Sequence, residues 1–449
     1  MLRRFILTAC LWVLLASLAQ AESIFPYKYH ETRLPNGLHV ILIPMKNEGL
    51  ASYFTVVRVG SRDEVEPGKS GFAHFFEHMM FRGTPNTPPE KWEEVMQAAG
   101  AETNAYTSDD RTVYHAVFSK EDLEPILQIE ADRFQNLKYT EEVFRTETRA
   151  VLGEYNKNFA SPFRKLDEVL RDNAFTQHSY KHTTMGFIED VEKMPEMYDY
   201  GLQFFDRFYR PEYTIVMIAG DVTKETTLPM VKKYWGEWKR GSYELKVPAE
   251  PPQKEPKNVD ADFHGPTLPL LNVAFQAPAY SDEIPDSAVL DIISFQAFSD
   301  NSELYKKLVI EEQKVDILAP QYYDHRDPYP FAVLARVKQD ADVKYVEEQI
   351  LATFEGLKKN LLQADELEKV KSHLRYQFAL SMDSTSAIAG TLAHYLGLSN
   401  TPETINKRYR LYQAVTPEQV REVANKYFIE SGRTIVTLRH DAAAAGGGQ

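Results

Sequence analysis

Gly71-Phe72-Ala73-His74-Phe75-Phe76-Glu77-His78-Met79-Met80-Phe81 is apolar or glycine at every position except His74, Glu77 and His78. As a helix it would be buried nearly all round. His74 and His78 stand at i and i+4 and project from one face, with Glu77 beside them at i+3. Burying three polar side chains there is costly unless they are paired, and a divalent cation satisfies two neutral imidazoles and a carboxylate together. The bland alternative is a histidine pair satisfied inside an ordinary core. H-x-x-E-H, however, arises by chance far less than once in a chain of this composition.

A hydrolytic zinc site needs a third protein ligand and one position left for water. Downstream, Val143, Glu147, Ala150, Val151 and Glu154 fall on one helix face, and Glu147 and Glu154 lie two turns apart where the pattern calls for core residues. Read alone, both carboxylates fit a solvated face as well; joined to the first helix, a ligand role becomes the better reading. His115 is expected to be a strand residue near the site rather than a fourth ligand, because a closed shell would remove the water position. His178 and His182, separated by Ser179, Tyr180 and Lys181, read as a solvated loop. Gly68-Lys69-Ser70 ends like a phosphate loop, but the glycine that motif needs earlier is Asp63.

The chain has 449 residues and a net charge of −14, with no block of Lys and Arg, which argues against a nucleic-acid partner. Residues 1–21 read as a signal peptide: Arg3 and Arg4, an apolar run from Phe5 to Leu18, and Ala19-Gln20-Ala21 as cleavage site. Export to the periplasm is expected, with the mature chain starting at Glu22. A lipid-attachment reading of Leu7-Thr8-Ala9-Cys10 would cut the apolar core short. Cys10 is the single cysteine and leaves with the signal, so any metal must be held by His, Asp and Glu. No other run is long enough to span a membrane, no G-x-S-x-G occurs, and a soluble mature protein is expected.

Residues 247–258, rich in proline and charge, read as a linker between a domain at 22–246 and another at 259–440, with a tail at 441–449. Strands are expected at 38–43, 52–59, 102–107, 112–118 and 213–219, then at 268–276, 315–318 and 331–337. Helices are expected from Ser70 and at 120–135, 140–157 and 162–172. Pro195-Glu196 before Thr214-Ile215-Val216, and Pro417-Glu418 before Thr434-Ile435-Val436, hint at an internal duplication. The fold class expected is α+β: two similar domains, each an antiparallel-rich mixed sheet with helices packed on one face.

The stretch from Gly71 to Thr84, with Gly60-Ser61-Arg62-Asp63-Glu64 before it, resembles the inverted-motif zinc peptidases (inverzincins) of the pitrilysin and insulinase type, and most of all their mitochondrial-processing-peptidase-like members. Asn104-Ala105-Tyr106-Thr107 is similar to the family's substrate-strand segment, and Phe208-Tyr209-Arg210-Pro211 with Gly220-Asp221 closes the first domain in the family's manner. The family's spacing puts its third ligand on Glu154 and makes Glu147 the second acidic residue, supporting the site. The resemblance implies one Zn²⁺ per chain on His74, His78 and Glu154, with Glu77 as the general base. It also implies an unfolded peptide substrate added as a strand beside Asn104, Ala105 and Tyr106. Self-sufficient relatives carry an Arg and a Tyr in the second half; Leu308 to Leu318 here has neither. A heterodimer is therefore expected, this chain bearing zinc and a homologous subunit supplying the Arg/Tyr pair. The rivals are a non-catalytic scaffold subunit and a metal-dependent hydrolase acting on something other than peptides.

Overall fold

A computed structural model describes residues 23–46 and 49–441; the expected signal peptide and residues 442–449 of the expected tail lie outside them. Two sheets dominate. The first contains β1 (His30–Arg33), β2 (His39–Pro44), β3 (Leu50–Val57), β4 (Glu102–Thr107), β5 (Thr112–Ser119) and β6 (Thr214–Gly220), in the order β1-β2-β6-β3-β5-β4. The second contains β7 (Lys257–Phe263), β8 (Leu270–Phe275), β9 (Val315–Gln321), β10 (Phe331–Val337) and β11 (Arg433–His440), in the order β7-β11-β8-β10-β9. With β1 set aside, the strand order is the same in both, and so are the directions: β2 runs parallel to β6 as β7 does to β11, and the remaining pairs are antiparallel. The duplicated segments ending at Thr214 and Thr434 lead into β6 and β11, which occupy equivalent places. The α+β class with two similar domains is what the structure contains.

Two strands were not anticipated. β1 is four polar residues on an outer edge, and β7 begins at Lys257, inside the stretch expected to be linker. Val259, Ala261 and Phe263 alternate there with exposed Asn258, Asp260 and Asp262, the period of a half-buried strand.

The strands β2, β3 and β6 are buried on both faces, so each face needs cover. One face of the first sheet, with Val40, Leu42, Tyr53, Tyr114 and Ile218, packs against that half's own helices. These include α1 (Phe72–Met79), the helix at Leu123–Asn136 and α2 (Glu141–Phe159). The cover on the opposite faces crosses between halves. α3 (Pro162–Ala174) sets Leu166 and Leu170 against Leu270, Ala274, Leu334 and Leu438 of the second sheet. α4 (Thr385–Ser399) returns the contact, packing Ile388, Leu392 and Leu396 into the cluster that holds Ile41, Phe54, Val56 and Met217. Ser52 of β3 donates to Thr385 Oγ1 at 2.8 Å in that interface. Each domain thus keeps its own helices on one face, while its second face is covered by a helix from the other half.

Candidate metal centre

α1 starts at Gly71, whose φ of +91° and close approach to the Met185 carbonyl leave no room for a Cβ. The buried Glu64 carboxylate accepts from Gly71 N–H at 2.7 Å and Ala73 N–H at 2.5 Å, closing the helix's first free donors with a negative charge at the positive end of its dipole. Phe72, Ala73, Phe75, Phe76 and Met79 are buried around the rest of the helix, which fixes the direction of the polar face. α2 starts at Thr140, whose hydroxyl accepts from Val143 N–H, and packs against α1, presenting Glu147 and Glu154 two turns apart.

His74, His78 and Glu154 converge. The Nε2 atoms of His74 and His78 lie 3.7 and 3.4 Å from Glu154 Oε2, and the imidazole centroids are 4.9 Å apart. Glu147 stands one layer behind: its Oε1 is 2.9 Å from His78 Nδ1, and its Oε2 is held by Arg82 Nη2 at 2.6 Å. A carboxylate accepts, so His78 carries its proton on Nδ1 and turns the Nε2 lone pair toward Glu154. The Glu147 bond raises the His78 pKa, whereas burial lowers that of His74 to about 4. Burial works upward on Glu147 too, but hydrogen bonds from His78 and Arg82 outweigh it and its pKa is lowered. When both imidazoles are neutral, two nitrogen lone pairs and a carboxylate oxygen face one another, and among the described residues no Lys or Arg comes within ion-pair reach of Glu154. Such acceptors repel unless a cation joins them; His₂Glu is a donor set that suits zinc.

Glu77 is largely buried beside this trio. Thr107 Oγ1 donates to its Oε2 at 2.6 Å, and burial raises its pKa against the hydrogen bonds from Thr107. A cleft of about 420 Å³ opens here, lined by Glu77, His78, Phe81, Arg82, Trp92, Thr103, Asn104 and Ala105. β4 forms the free edge of the sheet along it. Asn104 and Ala105 reach the cleft; Tyr106 turns its ring to the other face, beneath the Arg111 guanidinium.

His115 is not part of the trio. It sits on β5 between Tyr114 and Ala116, which face α1, so it points to the other side of the sheet, stacked on Phe54 at 4.9 Å. His178 and His182 are not in a solvated loop, contrary to expectation. Both are buried, His178 Nε2 meeting Asp327 at 3.0 Å and His182 Nδ1 the Thr183 carbonyl at 2.9 Å. Asp327 comes from the second half, so local polarity gave no hint of that burial. Ser70 is buried as well, donating to Asp190. Thr107 and Arg82, which hold the two acidic residues, were given no role in the sequence reading; both lie within the quoted segments, but neither spacing nor periodicity singles them out.

Residues 40–187 match the family model described as Insulinase (Peptidase family M16), and residues 199–374 match the Peptidase M16 inactive domain. The chain is 28% identical over 444 residues to the zinc protease PqqE of Helicobacter pylori, covering 96% of this chain and 97% of that protein. It is 26% identical over 430 residues to a probable mitochondrial-processing peptidase subunit beta of Arabidopsis thaliana, covering 91% and 77%. A crystal structure of a protease from Helicobacter pylori superposes with a TM-score of 0.85 at 26% identity, over 92% of this chain and 99% of that one. With both halves matched by models of one family, and nearly the full length shared with a protein named a zinc protease, this chain belongs to peptidase family M16.

Proposed function

We propose that the chain is a zinc-dependent endopeptidase in which His74, His78 and Glu154 hold one Zn²⁺. The observation that carries this reading is the convergence of three acceptor atoms, on two helices, with no cationic side chain among the described residues to join them. Zn²⁺ held there supplies a Lewis acid that polarises a peptide carbonyl and acidifies water. The rest falls to the protein. Thr107 fixes Oε2 of Glu77, so Oε1 takes the proton of the attacking water and then hands it to the leaving amine. The raised pKa of Glu77 suits both directions of that transfer. Glu147 keeps His78 in the tautomer that presents Nε2, with Arg82 preventing its rotation.

The substrate is an extended, unfolded peptide adding as a strand along Asn104, Ala105 and Tyr106, since β4 is an edge with unpaired backbone groups beside the cleft. The segment at Leu308 to Leu318 offers no Arg or Tyr to hold the substrate carbonyl, so a second, homologous subunit brings that pair and the working enzyme is a heterodimer. Residues 1–21 direct the chain to the periplasm, and the functional units are 22–246 and 259–440. No helix among the described residues is long and apolar enough to cross a membrane.

The test is to purify the chain in zinc, measure bound metal, and follow cleavage of an unstructured peptide with and without a homologous Arg/Tyr subunit. One zinc per chain and cleavage that depends on the added subunit are expected. Absence of metal, or Glu77→Gln cleaving at the wild-type rate, removes the enzyme reading and leaves a scaffold. Robust turnover by the isolated monomer removes the heterodimer.

A further inference from the structure

Thr107, which holds Glu77, is the last residue of β4, and the chain after it enters the turn Ser108–Arg111. As an edge strand, β4 has a neighbour on one side only, so its placement depends heavily on where that turn is fixed. Asp109 Oδ1 accepts from Ser61 Oγ at 2.7 Å and Arg171 Nη1 at 2.9 Å; its Oδ2 is 3.0 Å from His325 Nε2. Asp110 accepts from the Tyr180 hydroxyl at 2.6 Å and from Arg326 N–H at 3.0 Å. Arg111 Nη2 lies 3.1 Å from His394 Nδ1 on α4. Gly60 packs so tightly below that a Cβ would sit 2.2 Å from the Ser108 carbonyl oxygen.

Three of these anchors, His325, Arg326 and His394, belong to the second half. His325 is built in firmly. Its Nδ1 lies 2.7 Å from the Tyr323 carbonyl, and its ring stacks on Tyr329 at 3.7 Å with 9° between the planes. Carbonyl and carboxylate both accept, so both nitrogens carry hydrogen and a buried imidazolium faces Asp109. Residues 322–330, which carry it, join β9 to β10 as the Ser108–Arg111 turn joins β4 to β5; the equivalent connections of the two halves clasp each other.

We infer that His325 and His394, in the half that supplies no ligand to the metal centre, are positioning residues for Glu77, acting through the Ser108–Arg111 turn and Thr107. The inference rests on the proposed peptidase reading and deepens it: the second half sets the aim of the proton-transferring carboxylate. Losing the His325 anchor frees the turn, shifts Thr107, and leaves Glu77 Oε2 without its fixed donor. A misplacement of about 1 Å at a reacting group costs up to about a hundredfold in rate.

The experiment uses the zinc-loaded full chain with its complementary subunit. Thr107→Val is expected to lower kcat about ten- to hundredfold with KM little changed, His325→Ala to lower kcat as far and, by loosening the strand that pairs with substrate, to raise KM as well, and His394→Leu to act in the same direction as His325→Ala more weakly. Thr107→Ser restores the rate. Thr107→Val/His325→Ala together fall no further than the worse single variant, because both act on one contact. Hydrogen exchange of the amides at 102–107 rises in His325→Ala at unchanged zinc content. Should His325→Ala fold poorly, His325→Gln, which keeps a donor toward Asp109, is expected to fold and to lie between it and wild type in both readouts. Multiplying effects in the double variant, or exchange at 102–107 equal to wild type, overturn the inference. If wild type cleaves nothing under the same conditions, the peptidase reading falls, and the exchange measurement alone decides whether the second half holds β4.

Discussion

α1 of the first half and the helix at Asp286–Phe298 of the second occupy equivalent places, each following the second strand of the repeated plan, and they handle buried charge in opposite ways. In the second half Asp291 meets Arg408 at 2.6 Å and Asp324 meets it at 3.1 Å, and the guanidinium is fully buried between the rings of Tyr280 and Tyr412. Burial pushes Asp324 up to about 7 against the pull of that guanidinium. The protein carries its own counter-charge there. In the first half, His74, His78 and Glu154 bring acceptors together and, among the described residues, no arginine or lysine to neutralise them. One frame thus holds a cluster closed within the chain and another whose acceptors have no counter-charge among the described residues, and it is to the second that the proposed chemistry is assigned.

The largest expected effect sharpens that contrast. Glu77→Gln should lower peptide cleavage by about 10²- to 10⁴-fold, while metal analysis of the purified variant still finds zinc, because Glu77 is not one of the converging acceptors. Next, Arg408→Met leaves the half-buried Asp324 without its cation and Asp291 with only the Tyr412 hydroxyl, and should destabilise the protein by about 3–5 kcal/mol in urea unfolding. Glu154→Gln in metal-free protein should shift the same curve by less than about 1 kcal/mol. Equal losses in the two variants would break the comparison. Glu147→Gln should weaken zinc binding about 10–100-fold, read by competition with a chelator, through loss of the bond that orients His78.

The smallest effect concerns pH. Burial lowers the pKa of His325, but the bond to Asp109 and the charges of Asp109 and Asp110 outweigh it, so the pKa is raised above 6.5. Tyr180, Tyr329, Arg171, Asp324 and His394 also stand around it. Its stabilising contribution is therefore complete below about 6.5 and is lost as pH climbs through the raised value. The difference in melting temperature between wild type and His325→Gln should shrink across that window; a difference that widens with pH would reverse the assignment of charge.

The helix of His74 and His78 was legible because burial and i,i+4 spacing act within one turn-by-turn pattern, and the strands at 331–337 and 102–107 were legible from short apolar or alternating runs between turns. Glu154 was half legible: its helix face was, but its choice over Glu147 depended on family spacing. β7 carried a readable alternation at Val259, Ala261 and Phe263 that the neighbouring prolines masked. The burial of His178 could not be read locally, since its partner Asp327 is 149 residues away. Nor could the crossing of α3 and α4, because a strand apolar on both sides announces that a second cover exists and not which segment provides it.

That crossing bears on how the molecule is made. A ribosome releases β2, β3 and β6 long before Thr385–Ser399, so one side of the first sheet stays wet while some 160 further residues emerge. Completion of that face waits for α4, and a truncated product ending before α4 would expose Ile41, Phe54 and Met217 to whatever apolar surface it meets first.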